Sequence, residues 1–100
     1  MRIIALSTLK GFWEENPEYQ DAKEPILAWH SHALHADWSS PVEVKQDFGN
    51  ASILKDGRVV FNIAGNKYRL VVWINYAYKV VYIRFIGTHA QYDKIDVQTI

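Results

Sequence analysis

Apolar residues recur with a helical period in the first half of the chain and with an alternating period in the second half. After a short β-rich opening, Leu9, Phe12 and Trp13 are spaced as on one face of a helix. We expect Ser7 to cap the start of this helix and Pro17 to end it. The chain should therefore begin with a strand and then a helix.

Two further helices are predicted before the period changes. The second helix should run over residues 21–36. Pro25 is tolerated there only if it lies in the first turn, because proline lacks the N–H that the helix interior needs. Its buried stripe is predicted to consist of Ile26, Trp29 and Ala33. Ser40 and Glu43 have capping-box spacing around Pro41, which favours a short third helix there.

The second half of the chain has the two-residue period of β-strands. Strands are predicted over residues 52–54, 58–63, 68–75 and 80–86. Asp56-Gly57 is a strong signal for a two-residue hairpin. Early helices and late strands are typical of an α+β domain, in which an N-terminal strand and helices pack on one face of a mostly antiparallel, twisted sheet. The 100 residues suffice for one domain, spanning residues 1–100.

Alternation also sorts the strand residues into two faces. The apolar set, which includes Val81, Ile83 and Phe85 of the last strand, should pack against the helices. The other face is expected to be open and concave. It should carry a polar row formed by Arg58, Asn62, Lys67, Arg69, Tyr82 and Arg84. Arginines on one sheet face suit phosphate binding, and an ordinary solvated face is an equal alternative.

Charge is divided between the two halves of a chain whose net charge is zero. Residues 1–51 contain four basic and eight acidic residues, a net charge of −4, and residues 52–100 contain seven basic and three acidic ones, a net charge of +4. The division favours a polyanionic partner for the second half, with chance segregation as the alternative.

The bulk sequence features predict a cytoplasmic protein. There are no cysteines, which excludes disulfides and thiolate metal sites and fits a reducing compartment. The N-terminal apolar run is far shorter than the ~7 to 15 residues of a signal peptide, and no stretch approaches the ~18 apolar residues of a membrane span. We therefore expect no membrane association.

The segment after the last strand is the best candidate for chemistry. Thr88 and Gln91 have capping-box spacing, so a short helix should begin there with His89 in its first turn and Tyr92 on the same side. An imidazole beside arginines suits general acid–base work on a ribose 2′-hydroxyl. The alternative is that His89 caps the turn and Tyr92 packs on the core.

The other histidines form the pattern H-x-H-x-x-H at His30, His32 and His35. No cysteine or carboxylate cluster at ligand spacing accompanies them. We interpret them as a solvated helix face, and we expect no metal and no other cofactor.

Two stretches resemble a known family. Residues 58–70 contain F-N-I-x-G-N-x-Y-R-L, and residues 82–93 contain I-x-F-x-G-T-H-x-x-Y-D, in the order and at the separation seen in the HigB branch of the RelE/ParE-like bacterial toxins. Residues 38–45, W-S-S-P-V-E-V-K, resemble that branch too, so the likeness covers essentially the whole chain.

The resemblance implies a RelE-like microbial ribonuclease architecture and an mRNA-cleaving toxin of a type II toxin–antitoxin pair. Its protein partner would be a HigA-like antitoxin with a helix-turn-helix domain, so this chain would meet DNA only through the antitoxin. Many relatives cut mRNA in the ribosomal A site, which makes the ribosome a candidate partner.

The resemblance also implies roles for individual residues. Arg69, Arg84, His89 and Tyr92 match positions where the superfamily tends to place functional groups. We expect metal-free attack by the ribose 2′-hydroxyl, with His89, or a group it polarises, as the base. The arginines would stabilise phosphoryl charge, and Tyr92 would orient the base or stack a nucleobase. Further RNA contacts are expected from Lys55, Arg58, Asn62, Lys67 and Tyr82.

Two alternatives to a ribonuclease stay open. The same sheet face suits a non-catalytic module that binds RNA or a partner protein without turnover. The superfamily also includes toxins directed at gyrase.

Overall fold

A five-stranded mixed sheet with helices packed on one side forms the fold. The computed structural model describes all residues, Met1–Ile100. The strands are β1 Arg2–Ile4, β2 Ser52–Ile53, β3 Arg58–Ile63, β4 Tyr68–Asn75 and β5 Val80–Thr88. The helices are α1 Leu6–Glu14, α2 Lys23–His35, α3 Pro41–Asp47 and α4 His89–Tyr92.

The strand order is β1-β5-β4-β3-β2. β1 pairs in parallel with β5, and every other pair is antiparallel. The predicted α+β class, with an N-terminal strand and a mostly antiparallel sheet, is confirmed. β4 is the central strand, and β5 and β3 lie on either side of it. The paired residues of β4 and β5 are therefore inside the sheet and not at its edge.

The predicted turn at Asp56-Gly57 is confirmed, but the hairpin loop is one residue longer than predicted. The Leu54 N–H donates to the Arg58 carbonyl (2.9 Å), which leaves Lys55–Gly57 in the loop. Asp56 (φ 60°, ψ 31°) and Gly57 (φ 84°) are both left-handed, as a type I′ turn between β2 and β3 requires. Glycine adopts this conformation without strain, and aspartate is among the residues that tolerate it best.

The first two helices start differently from the prediction. α1 begins at Leu6 after Ala5, and no side chain caps it. The predicted cap at Ser7 is wrong because Ser7 already lies in the first turn. Pro17 opens a 3₁₀ turn over Pro17–Ala22, which suits its fixed φ and missing N–H. α2 therefore starts at Lys23, two residues later than predicted.

The remaining helix predictions hold in outline. Pro25 lies in the first turn of α2, and the buried stripe is the predicted one, Ile26, Trp29 and Ala33. α3 follows Ser40, but the reciprocal capping box is absent. The Glu43 carboxylate instead accepts hydrogen bonds from the Ser39 N–H (2.9 Å) and the Ser40 hydroxyl (3.3 Å).

The hydrophobic core fills the space between the helices and one sheet face. Trp29, Trp38 and Phe48 each meet Phe61 of β3, with ring centroids 5.3, 6.4 and 5.1 Å from the Phe61 ring. Trp29 comes from α2, and Phe48 ends α3. Aromatic packing therefore ties both helices to the sheet.

A β-bulge in β5 changes the predicted faces. Val72 pairs with Ile83 and Val71 pairs with Phe85, so Arg84 is an extra residue without a partner in β4. Beyond Arg84 the alternation is inverted, and Ile86 packs on the core. The assignment of Val81 and Ile83 to the core face is confirmed, whereas that of Phe85 is wrong. The alternation of apolar and polar residues does not reveal an inserted residue, so the change of face after Arg84 could not be predicted from it.

The face opposite the helices we call the outer face. Its side chains, read from the strand register, are those of Arg58, Val60, Asn62, Arg69, Val71, Trp73, Tyr82 and Phe85. Lys67, which was predicted to lie there, does not. Its ammonium pairs with the Asp21 carboxylate on the helix side of the sheet, where the Tyr68 hydroxyl also donates to Asp21.

Asp21 joins the helical layer to the β3–β4 turn. The hydrogen bond from Lys67, and then the one from Tyr68, lower the pKa of Asp21 from its ordinary value of 3.8. Burial, and then the bond to Asp21, raise the pKa of the Tyr68 hydroxyl. Each partner therefore stabilises the protonation state that keeps this contact formed at neutral pH.

Replacing Asp21 by alanine should destabilise the fold at neutral pH and make the variant less sensitive to acid than the wild type. A lowered folded-state pKa contributes stability that is present above the unfolded value of 3.8 and is lost as the pH falls through the folded value. Melting temperatures at about pH 7 and about pH 3 would measure both effects.

Asp37→Ala is the matched control, because Asp37 is 87% exposed and pairs only with Lys79. It should melt close to the wild type at both pH values. Parallel acid losses in the wild type and Asp21→Ala would contradict a stabilising role for the Asp21 carboxylate.

Candidate active site

The short helix α4 carries the candidate base, and a capping box fixes its start. The Gln91 N–H donates to the Thr88 hydroxyl (3.1 Å), and the Thr88 N–H donates to the Gln91 side-chain oxygen (2.9 Å). This is the predicted capping box, and it places His89 at the first helical position.

Strand register brings α4 beside Arg69. Gly87 pairs directly with Arg69 across β5 and β4, and Asn62 of β3 pairs with Arg69 on its other side. The His89 N–H donates to the Lys67 carbonyl (3.2 Å), which ties α4 to the β3–β4 turn. Asn62, Arg69 and His89 therefore occupy the same end of the sheet.

His89 is oriented by a carboxylate that the sequence analysis did not single out. Its Nδ1 lies 3.2 Å from Asp93 Oδ2, one helical turn later, and both side chains are exposed. A neutral imidazole that donates from Nδ1 keeps Nε2 free to accept a proton. The His89–Asp93 spacing of four residues at a predicted helix was the signal that could have revealed the pair.

The two arginines with predicted catalytic roles lie apart. The Arg69 guanidinium donates to the Asn66 carbonyl (3.1 Å) and stays near the β3–β4 turn. Arg84 is exposed at the bulge, and its Cζ lies 6.0 Å from the centroid of the Tyr82 ring. Arg69 is thus grouped with His89, and Arg84 with Tyr82.

The outer face is covered on its β3 side. Val60 and Val71 point away from the helices and lie outside the core cluster, yet they are only 3% and 0% exposed. The Arg58 Nε–H donates to the Ile100 carbonyl (3.0 Å), although α4 ends at the opposite end of the sheet. The segment after α4, residues 93–100, therefore returns along this face.

The C-terminal segment corrects the expectation of a fully open face. Ile95, Val97 and Ile100 are half-buried, and these apolar side chains fit the apolar middle of the outer face. Arg58 is occupied by Ile100. Near the end of β5 the exposed residues are Arg84, at the bulge, and His89, at the start of α4.

The remaining predicted site residues are scattered. Lys55 is exposed in the 3₁₀ turn before β3, and Tyr92 is half-buried at the end of α4. Lys67 is held by Asp21 on the helix side. Lys55 therefore lies apart from the group around His89, whereas Lys67 adjoins His89 through its backbone carbonyl and directs its ammonium to Asp21.

The three α2 histidines do not converge. His32 Nε2 contacts Asp47 Oδ2 (3.0 Å), and this bond, followed by one from Trp38, lowers the pKa of Asp47. His35 Nδ1 contacts the Ser31 carbonyl (2.8 Å). Burial, followed by the charge of Lys10, lowers the pKa of His30. No group of three or more His, Cys, Asp or Glu side chains is arranged to hold a metal ion.

None of the helices is both long enough and apolar enough to cross a membrane.

Comparison with known proteins identifies the class of protein to which the chain belongs. Residues 22–95 match a family model described as the RelE-like toxic component of a toxin–antitoxin system, HigB_toxin. The mRNA interferase HigB of Escherichia coli O6:H1 strain CFT073 is 33% identical over an alignment of 80 residues that covers 73% of this chain and 78% of the relative. The mRNA interferase toxin HigB of Escherichia coli strain K12 is 28% identical over 95 residues, 93% of this chain and 88% of the relative. The chain belongs to the HigB toxin family.

Replacing Gly87 by alanine should disturb the start of α4. A methyl carbon there would lie 2.6 Å from Phe85 Cζ and 2.7 Å from Gln91 Oε1, so either the ring moves or the capping box opens. Overpacking of this kind costs about 1–3 kcal/mol. Thermal denaturation and hydrogen exchange at the Thr88 N–H would detect it.

Gly49→Ala is the control, because no atom lies within 4 Å of its added carbon. Its stability should change by less than about 0.5 kcal/mol. Equal stability of the two variants would show that the packing at Gly87 does not hold α4 in place.

Proposed function

We propose that this chain is an mRNA endoribonuclease that inhibits translation as the toxic member of a toxin–antitoxin pair. The observation that carries the proposal is the His89–Asp93 pair at the sheet end that also holds Arg69. Curated relatives that are named mRNA interferases support the same activity.

The proposed reaction is transesterification by the substrate's own ribose. His89 Nε2 takes the proton of the 2′-hydroxyl, and the 2′-oxygen forms a bond to the adjacent phosphorus. The bond from phosphorus to the 5′-oxygen breaks, and that oxygen takes a proton from solvent while the imidazolium returns its own proton to water. The products carry a 2′,3′-cyclic phosphate and a 5′-hydroxyl.

Arg69 is assigned to the scissile phosphate. It lies across from Gly87, two residues before the proposed base. A guanidinium can donate two parallel hydrogen bonds to phosphoryl oxygens as charge develops on them. Arg84 lies beside Tyr82 instead, and we assign it to a flanking phosphate.

Asp93 and Tyr92 act through the base or beside it. Asp93 would hold His89 with Nε2 toward the substrate and stabilise the imidazolium once it forms. Tyr92 closes α4 three residues after His89, where it would orient the base or stack a nucleobase.

Some of the residues proposed to contact RNA are free to do so, and others are held by partners within the protein. Asn62 and Tyr82 project from the outer face, and Lys55 is exposed beside it. Arg58 and Lys67 would reach RNA only after leaving Ile100 and Asp21, respectively.

The proposed setting follows from the activity. An unrestrained mRNA nuclease would be lethal to its host, so the partner is an antitoxin, and we propose a HigA-like protein with a helix-turn-helix domain. DNA would be met only through that partner. The cytoplasm holds the mRNA, and the ribosome is a proposed site of cutting.

Alanine at His89 or at Arg69 should relieve growth arrest and slow cleavage without unfolding the protein. A lost general base costs about 10²–10⁴-fold in rate, and a lost oxyanion donor about 10²–10³-fold. Growth after induced expression, mapped mRNA 5′ ends and circular dichroism would measure toxicity, cleavage and folding.

His35→Ala and Arg2→Ala are matched controls on exposed residues outside the site, and both should remain toxic. If the folded His89 and Arg69 variants stay as toxic as the wild type, the assignment of the site is wrong.

The chemistry of the ends tests the mechanism separately. Cleavage should persist in excess EDTA, with intact ribosomes maintained by other means if they are required. Upstream fragments should end in a 2′,3′-cyclic phosphate or a 3′-phosphate. A 2′-deoxyribose at the cut site should abolish cutting and leave binding largely unchanged. Fragments with 5′-phosphates, or normal cutting of the deoxy substrate, would rule out attack by the ribose.

A further inference from the structure

Trp73, which has no role in the proposed reaction, forms an aromatic pair on the outer face with the proposed RNA contact Tyr82. They are direct partners across β4 and β5. Their ring centroids are 5.3 Å apart with an interplanar angle of 35°. Both are half-buried, and neither belongs to the core cluster. The pair is therefore partly exposed aromatic area on the same face as Arg69, and it lies beside Arg58, which pairs with Trp73 across β3 and donates to Ile100.

The Trp73 ring is fixed before any ligand arrives. Its Nε1–H donates to the Asp56 carbonyl in the hairpin turn (2.5 Å). A Cβ at Gly57 would lie 2.9 Å from Trp73 Nε1, so the turn backbone packs closely against the indole edge. A ring held by its edge loses little side-chain entropy when a planar group stacks on it.

A cation adjoins the pair. Arg84 Cζ lies 6.0 Å from the Tyr82 ring centroid, and Arg84 is exposed. Ile4 pairs with Tyr82 across β1 and is 36% exposed. Aromatic faces next to a free guanidinium are the chemistry that binds single-stranded nucleic acid, where bases stack and a cation meets the phosphate.

We propose that Trp73 and Tyr82 form a stacking subsite for one unpaired nucleobase of the RNA substrate, with Arg84 on the adjoining phosphate. This inference rests on the proposed ribonuclease function. Trp73 lies four residues from Arg69 along β4, about 13 Å at ~3.3 Å per residue. The stacked base is thus a few nucleotides away from the scissile phosphate.

The subsite would influence which sequences are cut. Stacking contributes about 5- to 150-fold in affinity per base, and larger ring systems stack more strongly. A preference at one position remote from the cut should therefore favour purines. Such a preference is independent of the chemistry at His89.

The test uses an mRNA fragment that spans a cut site mapped with the wild-type protein. A 2′-deoxyribose at the cut site prevents turnover, and each other nucleotide in turn is made abasic. Affinity is measured for the wild type, Trp73→Leu and Tyr82→Leu. If cleavage requires ribosomes, the abasic series is measured as kcat/KM on ribosomes with the ribose intact.

For the wild type, one abasic position a few nucleotides from the cut should weaken binding about 5- to 150-fold. In Trp73→Leu and Tyr82→Leu that penalty should vanish, because no stacking is left to lose. Tyr82→Phe should retain it. Tyr78→Leu, which removes a 79% exposed aromatic in the β4–β5 turn, should retain it as well.

The outcomes separate this inference from the proposed function. If the wild type does not cut RNA, the ribonuclease proposal fails first. If it cuts RNA and the abasic penalty persists in both leucine variants, the stacking subsite is wrong. If the leucine variants bind RNA normally and lose antitoxin binding, the pair belongs to a protein interface and the subsite is again overturned.

Discussion

The bulge at Arg84 is the constraint on which the candidate site depends. One unpaired residue in β5 turns Phe85 to the outer face and returns Ile86 to the core. The same shift sets Gly87 opposite Arg69, and α4 begins two residues later. Without the extra residue, the alternation would turn Gly87 to the core face and change its pairing with Arg69. A local irregularity of the sheet thus sets the register that pairs Gly87, two residues before His89, with Arg69.

The net charge of +4 on residues 52–100 overstates how strongly this half of the chain would attract a polyanion, because several of its basic residues already have partners. Arg58 and Lys67 are occupied by Ile100 and Asp21, and Lys79 pairs with Asp37. The basic residues of that half that form no ion pair and do not donate to Ile100 are Lys55, Arg69, Arg84 and Lys94. Since affinity from counterion release grows with the number of phosphates neutralised, the field of this protein alone is modest. For the proposed binding of RNA, the positions of Arg69 and Arg84 matter more than the net charge of the chain.

The sequence predicted the periodic parts of the fold and missed the irregular ones. The limits of β3 and β4, the turn at Asp56-Gly57 and the capping box of Thr88 follow from side-chain spacing and turn chemistry, which are local. The bulge, the pairing of Lys67 with Asp21 and the return of the C-terminal segment are tertiary, and no periodicity encodes them. His89 was found through its helix start. Asp93 was missed because its contact with His89 depends on where the two side chains point in the folded helix, which spacing alone does not fix.

The candidate site has a polar surface around His89, at the C-terminal end of β5, and an aromatic surface around Trp73 and Tyr82, farther back along the strand. The α4 end holds the proposed base His89 with Asp93 and Arg69, and these three polar side chains offer little apolar area. At the other end, Trp73 and Tyr82 offer flat apolar area. Few free cations mean that phosphate contacts alone would hold RNA weakly. Under the two proposals, binding energy from a base stacked on Trp73 and Tyr82 would help to fix the ribose against His89, because remote binding energy can position the reacting groups.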